Sequence, residues 1–463
     1  MSVLLHAASP ASALLLSAAL NAGHIDPEQR RVLAWDSSTP GGAALEQGWA
    51  AGLWAHLAGA RVDLAFSSPK AAMPDAAWPA PTGASSAAVG AAKETERPAA
   101  PAKAPSLLVL DPSAPTAASA LAAAWPQSPV LAYGDGLSVL CPTPSALDSE
   151  VGLRATGLVH SELLPGLRPL MFTESRVSPE TLDRASVQAA LDPLLKGVSL
   201  PEPASHALQG KGRACLAVLQ ALPDLGKDSD AEAERLAARL VRAAQDGGTS
   251  ALLLAPDPSA SPALVARTQE LAVGAGLRAA TLPAWWPAEL AHALVDPRLT
   301  VGVSAPALYS VQRLSGARVR SVATGRLLPR LRSAEDHARI VLAIVDATLR
   351  RGVPTPAEEL SHASSGKAAP QPADPTRLQS VLDAVAYSVA PKLLAPLRDH
   401  TARTLRREPA LRDAYISRKR VKKLHLLDRA TPKVSALTGA TLTALMPLAT
   451  LASGSSPSGR RVR

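Results

Sequence analysis

Residues 131–143 read LAYGDGLSVLCPT. The apolar run of residues 129–132 leads into Tyr133, then Gly134-Asp135-Gly136, then a second apolar run that ends at Pro142. Apolar run, Gly-Asp-Gly, apolar run is the pattern of a buried strand that stops and turns at its C-terminal end. Ligands of open parallel sheets bind at that end of the strands, and two glycines let the backbone come close to a ligand. Asp135 is therefore a candidate site carboxylate. A plain turn aspartate between two strands gives the same pattern, and both readings stand at this point.

Short apolar runs recur upstream at residues 3–7, 31–34 and 62–66, with helical patterns at 11–21 and 44–57 between them. Strand and helix in alternation predict βαβ units and a parallel sheet. Residues 67–105 are dominated by Ala, Pro, Ser and Gly. With few large apolar side chains they cannot build a core, and they read as a mobile insertion. A strand at 106–110, a helix at 117–124 and the Asp135 strand then resume the alternation, and residues 151–175 carry further short apolar runs. Residues 191–209 are rich in Pro, Gly and Ser and read as a hinge.

A second set of units follows. Strands are expected at 214–219, 250–254, 276–281 and 299–303, and helices at 231–245, 262–273 and 288–294. In the first of these helices Leu236, Leu240, Val241 and Ala244 share one face. Ser333 and Asp336 form a capping-box start for a helix to 350. The predicted fold is thus α/β: two doubly wound, Rossmann-like halves facing a cleft, over about 1–200 and 206–350. Residues 355–374 read as a linker. Asp374-Pro375 is an N-cap and N1 pair opening a helix to about 389, within a basic helical extension and tail that occupies 375–463.

At 463 residues the chain is long enough for two or three cored domains. Two cysteines, Cys141 and Cys215, exclude a disulfide framework, and no Cys/His cluster has zinc spacing, so no metal is expected. The N-terminal stretch lacks a Lys/Arg n-region, and His6, Ser9 and Pro10 interrupt its apolar run. It reads as a first strand and helix rather than a leader. Residues 436–452 are broken by threonines, Gly439 and Pro447 and do not read as a membrane span. The expected location is the cytoplasm, with peripheral contact at the inner membrane surface as a further option.

The net charge of +9 is unevenly placed. Residues 401–430 hold ten Lys/Arg (Arg403, Arg406, Arg407, Arg412, Arg418, Lys419, Arg420, Lys422, Lys423, Arg429) against three acids (Glu408, Asp413, Asp428), and Arg460, Arg461 and Arg463 follow. The rest of the chain is nearly neutral. A charge run is commonly a solvated helix face. As a binding surface, the segment Arg403 to Arg429 would suit an anionic glycan or an anionic membrane. Tyr415 is its only aromatic residue and no nucleic-acid fold signature is present, which argues against nucleic acid. Nothing in the sequence sets an oligomeric state.

The stretch from Tyr133 to Ser175 resembles the bacterial alpha-2,8-polysialyltransferase family, glycosyltransferases of GT-B fold. The matching residues are Tyr133/Asp135/Gly136, Pro142-Thr143, Leu147-Asp148, His160/Glu162/Pro165-Gly166-Leu167 and Thr173-Glu174. The opening strand, loop and helix with Ser9 are similar too. A weaker match continues to about residue 350, and 355–463 match nothing in the family. The resemblance implies transfer of sialic acid from CMP-sialic acid to a glycan hydroxyl, with no cofactor. Asp135 would be the general base, since an inverting transfer needs a carboxylate to take the acceptor proton. The departing phosphate needs positive charge or hydrogen-bond donors.

On the acceptor side the resemblance points to Ser9, Thr143 and Glu174; on the donor side, to Gly136, Asp257, Pro258, Glu289 and Ser304. Glu289 would accept from ribose hydroxyls, and it is also an acid favoured at a helix N-terminus. His160, in an apolar setting, reads as a structural histidine, and Trp285 and Trp286 fit core packing better than stacking on a base. Two family motifs are replaced. Lys-Pro-His-Pro is Ala255-Pro256-Asp257-Pro258 here, and Ser-Ser/Thr falls on Ala305-Pro306, with Ser304 one position early. An anion in place of the histidine repels a phosphate, and a proline removes a backbone donor. A non-catalytic relative that binds a glycan or nucleotide, or serves as an assembly partner, is therefore the alternative to a transferase.

Overall fold

The computed structural model describes residues 2–58, 60–63, 104–145, 147, 149–209, 213–223, 229–331, 337–350 and 374–428. Nearly all of the expected insertion and linker lies outside these residues. So do Ser333 and Asp336, Asp148, Arg429 and the tail.

The first half is a seven-stranded, all-parallel sheet of order β3-β2-β1-β4-β5-β6-β7. Its strands are β1 (Ser2–His6), β2 (Arg30–Trp35), β3 (Ala60–Asp63), β4 (Leu107–Leu110), β5 (Val130–Gly134), β6 (Ala155–Ser161) and β7 (Pro179–Leu182). Val3, Leu4 and Leu5 are buried, as a central parallel strand covered on both faces requires. The helices are α1 (Pro10–Asn21), α2 (Pro40–Ala50), α3 (Pro115–Ala124), α4 (Ser149–Arg154) and α5 (Arg184–Gly197). Each of the first three starts with proline at the first turn, where a missing N–H costs nothing. The helix expected over 44–57 stops at Ala50. Residues 51–57 form turns around Gly52, whose φ of +79° suits a glycine.

The second half is a five-stranded parallel sheet of order β10-β9-β8-β11-β12. Its strands are β8 (Ala214–Leu219), β9 (Ala251–Pro256), β10 (Arg278–Thr281), β11 (Leu299–Gly302) and β12 (Val319–Ser321). Its helices are α6 (Glu202–Leu208), α7 (Ser229–Asp246), α8 (Pro262–Gly274), α9 (Ala288–Val295), α10 (Ala307–Ser315), α11 (Thr324–Leu327) and α12 (Ala338–Val345). β8 is buried along its whole length, and Leu236, Leu240, Val241 and Ala244 of α7 are buried as the sequence periodicity predicts.

The segment expected as the hinge, 191–209, holds the end of α5, residues 198–201 outside any helix, and α6. Leu191 and Leu194 are core residues of α5, and α6 packs on β9 and β10. Two of the segment's three prolines stand at the start of α6, and Pro193 lies inside α5. Pro201 is the N-cap of α6 and Pro203 stands in its first turn.

The helical C-terminal region is present. It comprises α13 (Pro375–Val389), α14 (Arg398–Arg407), α15 (Pro409–Tyr415) and α16 (Arg418–Lys423). Asp374 caps α13 as expected, accepting from the Thr376 N–H at 3.0 Å. Leu382, Val385, Leu405, Tyr415, Val421 and Leu426 share one apolar core with the second half. First-half residues Leu137, Leu140, Leu163, Leu167 and Leu170 belong to the same core. The Gln379 side chain of α13 also accepts from the Arg168 N–H at 2.8 Å. The C-terminal helices therefore join both halves. Among the described residues, no helix is long and apolar enough to cross a membrane.

Candidate functional site

The C-terminal ends of the strands and the first turns of α1, α9 and α10 surround a cleft of about 340 Å³ between the two sheets. The first half contributes Ser9, Pro10, Ser113, Asp135 and Ser161 to its wall. The second half contributes Gln220, Asp257, Trp286, Glu289 and Ser310. This is where open α/β sheets hold ligands.

Asp135 sits one residue past β5. The Tyr133 hydroxyl donates to the His6 carbonyl at 2.7 Å and so ties β5 to the start of the α1 loop. Gly136 is sterically required, and a side chain at Gly134 would displace its neighbours. A Cβ on Gly134 would stand 2.7 Å from Val139 Cγ1. Gly136 has φ +81°, and a Cβ there would stand 1.9 Å from the Ser161 carbonyl oxygen. Asp135 Oδ1 accepts from the Leu137 and Ser138 N–H groups at 2.8 and 2.6 Å. Oδ2 is left without a hydrogen-bond partner among the described residues. A carboxylate fixed through one oxygen and open through the other is suited to accept a proton or a hydroxyl.

Beside it, at the end of β4, lies Asp111, which the sequence reading did not single out. It is buried, and its Oδ1 accepts from the Ser113 N–H at 2.9 Å. Burial pushes its pKa up to about 6, and the charge of Asp135 adds to the rise. The Asp111 N–H donates to Nδ1 of His6 at 3.4 Å. Burial lowers His6 to about 4, so its ring is neutral near pH 7. The signal for Asp111 was present: an aspartate directly after the apolar run of residues 107–110, as Asp135 follows its own.

On the opposite wall, β9 ends in Pro256 and Asp257 turns the chain. The Asp257 N–H donates to the Leu219 carbonyl at 2.6 Å. Its Oδ1 accepts from the Ser259 N–H at 2.9 Å and from the Ser259 hydroxyl. Asp257 is thus a turn former whose carboxylate also faces the cleft. Glu289 stands in the first turn of α9, next to Pro287. Its Oε1 accepts from the Ser310 hydroxyl of α10, while Oε2 is shut off from solvent with no partner. Burial raises its pKa; the Ser310 hydrogen bond opposes the rise and the nearby charge of Asp135 adds to it. The pairing of Glu289 with Ser310 spans 21 positions, and only the fold brings the two together.

The other candidates are placed as follows. Ser9 is the N-cap of α1 in a capping box with Ser12, and it lines the cleft. Pro258 lines it as well. Ser304 is buried behind the wall and meets Nε2 of Gln220 at 2.9 Å. Gly136 stands under Asp135 and does not itself line the cleft. Thr143 is not at the cleft. Its hydroxyl accepts from the Phe172 N–H at 2.7 Å and braces a loop. Glu174 lies on an exposed 3-10 turn, also away from the cleft wall. His160 is buried, with Nδ1 at 3.3 Å from the Ser161 carbonyl. Trp285 and Trp286 meet edge to face at 5.8 Å, and Trp286 reaches the cleft. Among the described residues, no group of His, Cys, Asp and Glu has the arrangement to hold a metal ion.

No protein-family model and no curated protein matches the chain. Solved structures similar to it include the E. coli heptosyltransferase WaaC with ADP, at 13% identity and TM-score 0.30, covering 69% of this chain and 86% of that one. A 2,6-sialyltransferase from Photobacterium sp. JT-ISH-224, in complex with CMP and lactose, matches at 9% identity and TM-score 0.36, with 66% and 69% covered. An anthocyanidin 3-O-glucosyltransferase with UDP matches at 12% and 0.39, with 88% and 98% covered. These neighbours are glycosyltransferases, and likeness this loose says nothing of a substrate.

Proposed function

We propose that this chain is a glycosyltransferase-like protein whose cleft binds a carbohydrate through its hydroxyl groups without transferring a sialyl residue. The observation that supports this reading is the charge of the cleft wall, where the three ionisable side chains among the described residues, Asp135, Asp257 and Glu289, are all carboxylates. A carboxylate has about four lone-pair sites and no hydrogens to donate, so Asp135, whose Oδ2 is uncommitted, accepts well from sugar hydroxyls, whereas Glu289 Oε2 is shut off from solvent. It repels the phosphate and carboxylate of CMP-sialic acid. Trp286 reaches the same wall but is buried in the core, so the carboxylates carry the reading.

The second reading is sialyl transfer from CMP-sialic acid to a glycan hydroxyl, with Asp135 as general base, Ser9 on the acceptor side, and Asp257, Pro258, Glu289 and Ser304 around the donor. One feature favours it: Asp135 is held by two backbone N–H groups at a strand end with its second oxygen uncommitted.

Calorimetric titration with CMP, CMP-sialic acid and a panel of neutral oligosaccharides separates the two, followed by an assay for CMP release. A neutral glycan that binds, weakens in Asp135→Asn and is never sialylated supports the first reading. CMP release that disappears in Asp135→Asn establishes the second and removes the first. A chain that binds none of these ligands has no carbohydrate site in the cleft.

A further inference from the structure

The basic segment is folded, and its cations are sorted by the fold. In α16, Arg420 and Val421 are buried while Arg418, Lys419, Lys422 and Lys423 are exposed. Arg420 serves the fold itself, because its guanidinium donates to the Ser388 carbonyl at 2.6 Å and to the Val389 carbonyl at 3.4 Å, at the end of α13. The four exposed cations lie three and four residues apart, on the outer arc of the helix. In α14, Thr401, Ala402, Thr404 and Leu405 are buried, and Arg398, Arg403, Arg406 and Arg407 are exposed. Arg398 donates to the His425 carbonyl at 3.5 Å, which sets the start of α14 beside the end of α16. Residues 398–428 hold ten Lys/Arg against four Asp/Glu, and one of those acids, Asp413, is paired with Arg412 at 3.0 Å. None of these cations lines the cleft.

We propose that this face of the C-terminal helices docks the protein on an anionic membrane surface. Two observations favour lipid over other polyanions. Leu427, four residues after Lys423, is 37% exposed, so the segment presents an apolar side chain to solvent as well as cations, the pairing a headgroup boundary takes. Tyr415, the one aromatic residue of the segment, is buried with its hydroxyl on Asp346 at 3.1 Å, so no ring is offered for stacking on nucleic-acid bases. Tyr415 and Asp346 also fix the basic helices to the second half, so the surface is presented by a folded scaffold.

The proposal is tested by co-sedimentation of the full chain with vesicles of phosphatidylcholine alone or with about 30% phosphatidylserine. Binding is expected only to the anionic vesicles, and weaker at about 0.5 M than at about 0.1 M salt. Each lysine near such a surface is worth about fivefold in binding. The exposed-site triple variant Lys419→Ala/Lys422→Ala/Lys423→Ala should therefore bind roughly a hundredfold more weakly, with an unchanged melting temperature. Equal binding to both vesicle types, or a triple variant that binds like the parent, overturns the proposal. So does a failure to bind vesicles, whether or not heparin or duplex DNA binds in their place, and binding to either would reassign the face.

Discussion

Replacing Asp257 by asparagine tests the electrostatic argument with little else disturbed. Asp257 Oδ1 accepts from the Ser259 N–H at 2.9 Å, and an asparagine carbonyl can keep that bond, so the turn after β9 survives. What is removed is one negative charge at the cleft wall. Two unit charges about 4 Å apart interact by about 1 kcal/mol in water and about 4 kcal/mol at an effective dielectric of about 20. Asp257 is half-buried, which places the repulsion toward the lower end, at about 1.5 kcal/mol, or roughly tenfold in affinity. CMP should therefore bind about tenfold more tightly to Asp257→Asn, measured by calorimetry at low salt, and the gain should shrink as salt rises. Asp257→His would add a donor worth about 1.5–3 kcal/mol but would give up the turn acceptor. Adding Glu289→Gln should tighten CMP again. If neither Asp257→Asn nor the double variant changes CMP affinity, the carboxylates are not what governs phosphate at this wall, and the case for a carbohydrate-binding cleft loses its support.

Asp111 makes a pH prediction. Its folded pKa of about 6 lies above its ordinary 3.8, so the group favours folding where it is protonated, below pH 3.8. That contribution is lost as pH rises through about 6. Asp111→Asn should then be more stable than the parent at about pH 8 by about 2–3 kcal/mol and no more stable at about pH 3.5, read from melting temperatures; equal gains at both pH values would show that ionisation is not the cause. Glu232, 1% exposed, accepts from Arg235, Arg326 and Arg330, so Glu232→Gln should cost about 2–3 kcal/mol in chemical denaturation, the low side of breaking a buried pair because the arginines reach solvent. An unchanged midpoint would make the network ornamental. Gly136→Ala combines a φ of +81° with a Cβ placed 1.9 Å from the Ser161 oxygen, and should lose more than about 3 kcal/mol or fail to fold; a fully stable variant would contradict the described geometry of the Asp135 loop.

Much of this fold was legible because its strands are apolar runs bounded by strong punctuation. β8 and α13 start and stop where the sequence pattern predicts, α13 because Asp374-Pro375 supplies both cap and first-turn proline. What was missed lacked such a signal. β7 reads Pro-Glu-Thr-Leu with only Leu182 buried, an edge strand with no apolar run to detect. β12 is three residues long. The prolines near α5 and α6 resemble breakers, yet Pro193 lies inside α5 and Pro201 caps α6. At the cleft, Asp135 and Asp257 were legible as carboxylates at strand ends. Thr143 and Glu174 entered through the family resemblance alone, and both stand off the wall.

The shared core bears on how the cleft can respond to a ligand. Leu137, two residues after Asp135, lies in the same apolar cluster as Val218, Ala305 and α13. Leu163 and Leu167 of the first half join it too. Opening the cleft would expose these side chains to water, at about 1.5–3 kcal/mol for each large one. Packing thus opposes a wider separation of the two carboxylate walls, and spreading them to relieve repulsion carries that cost. Protonation, or a counter-charge on the ligand, relieves the repulsion without it. Glu289 is the carboxyl best placed for the first, because burial already favours its neutral form and the charge of Asp135 favours it further. A neutral, hydroxyl-rich ligand needs neither, and that is the ground for proposing that the cleft takes sugar hydroxyls rather than an anionic donor.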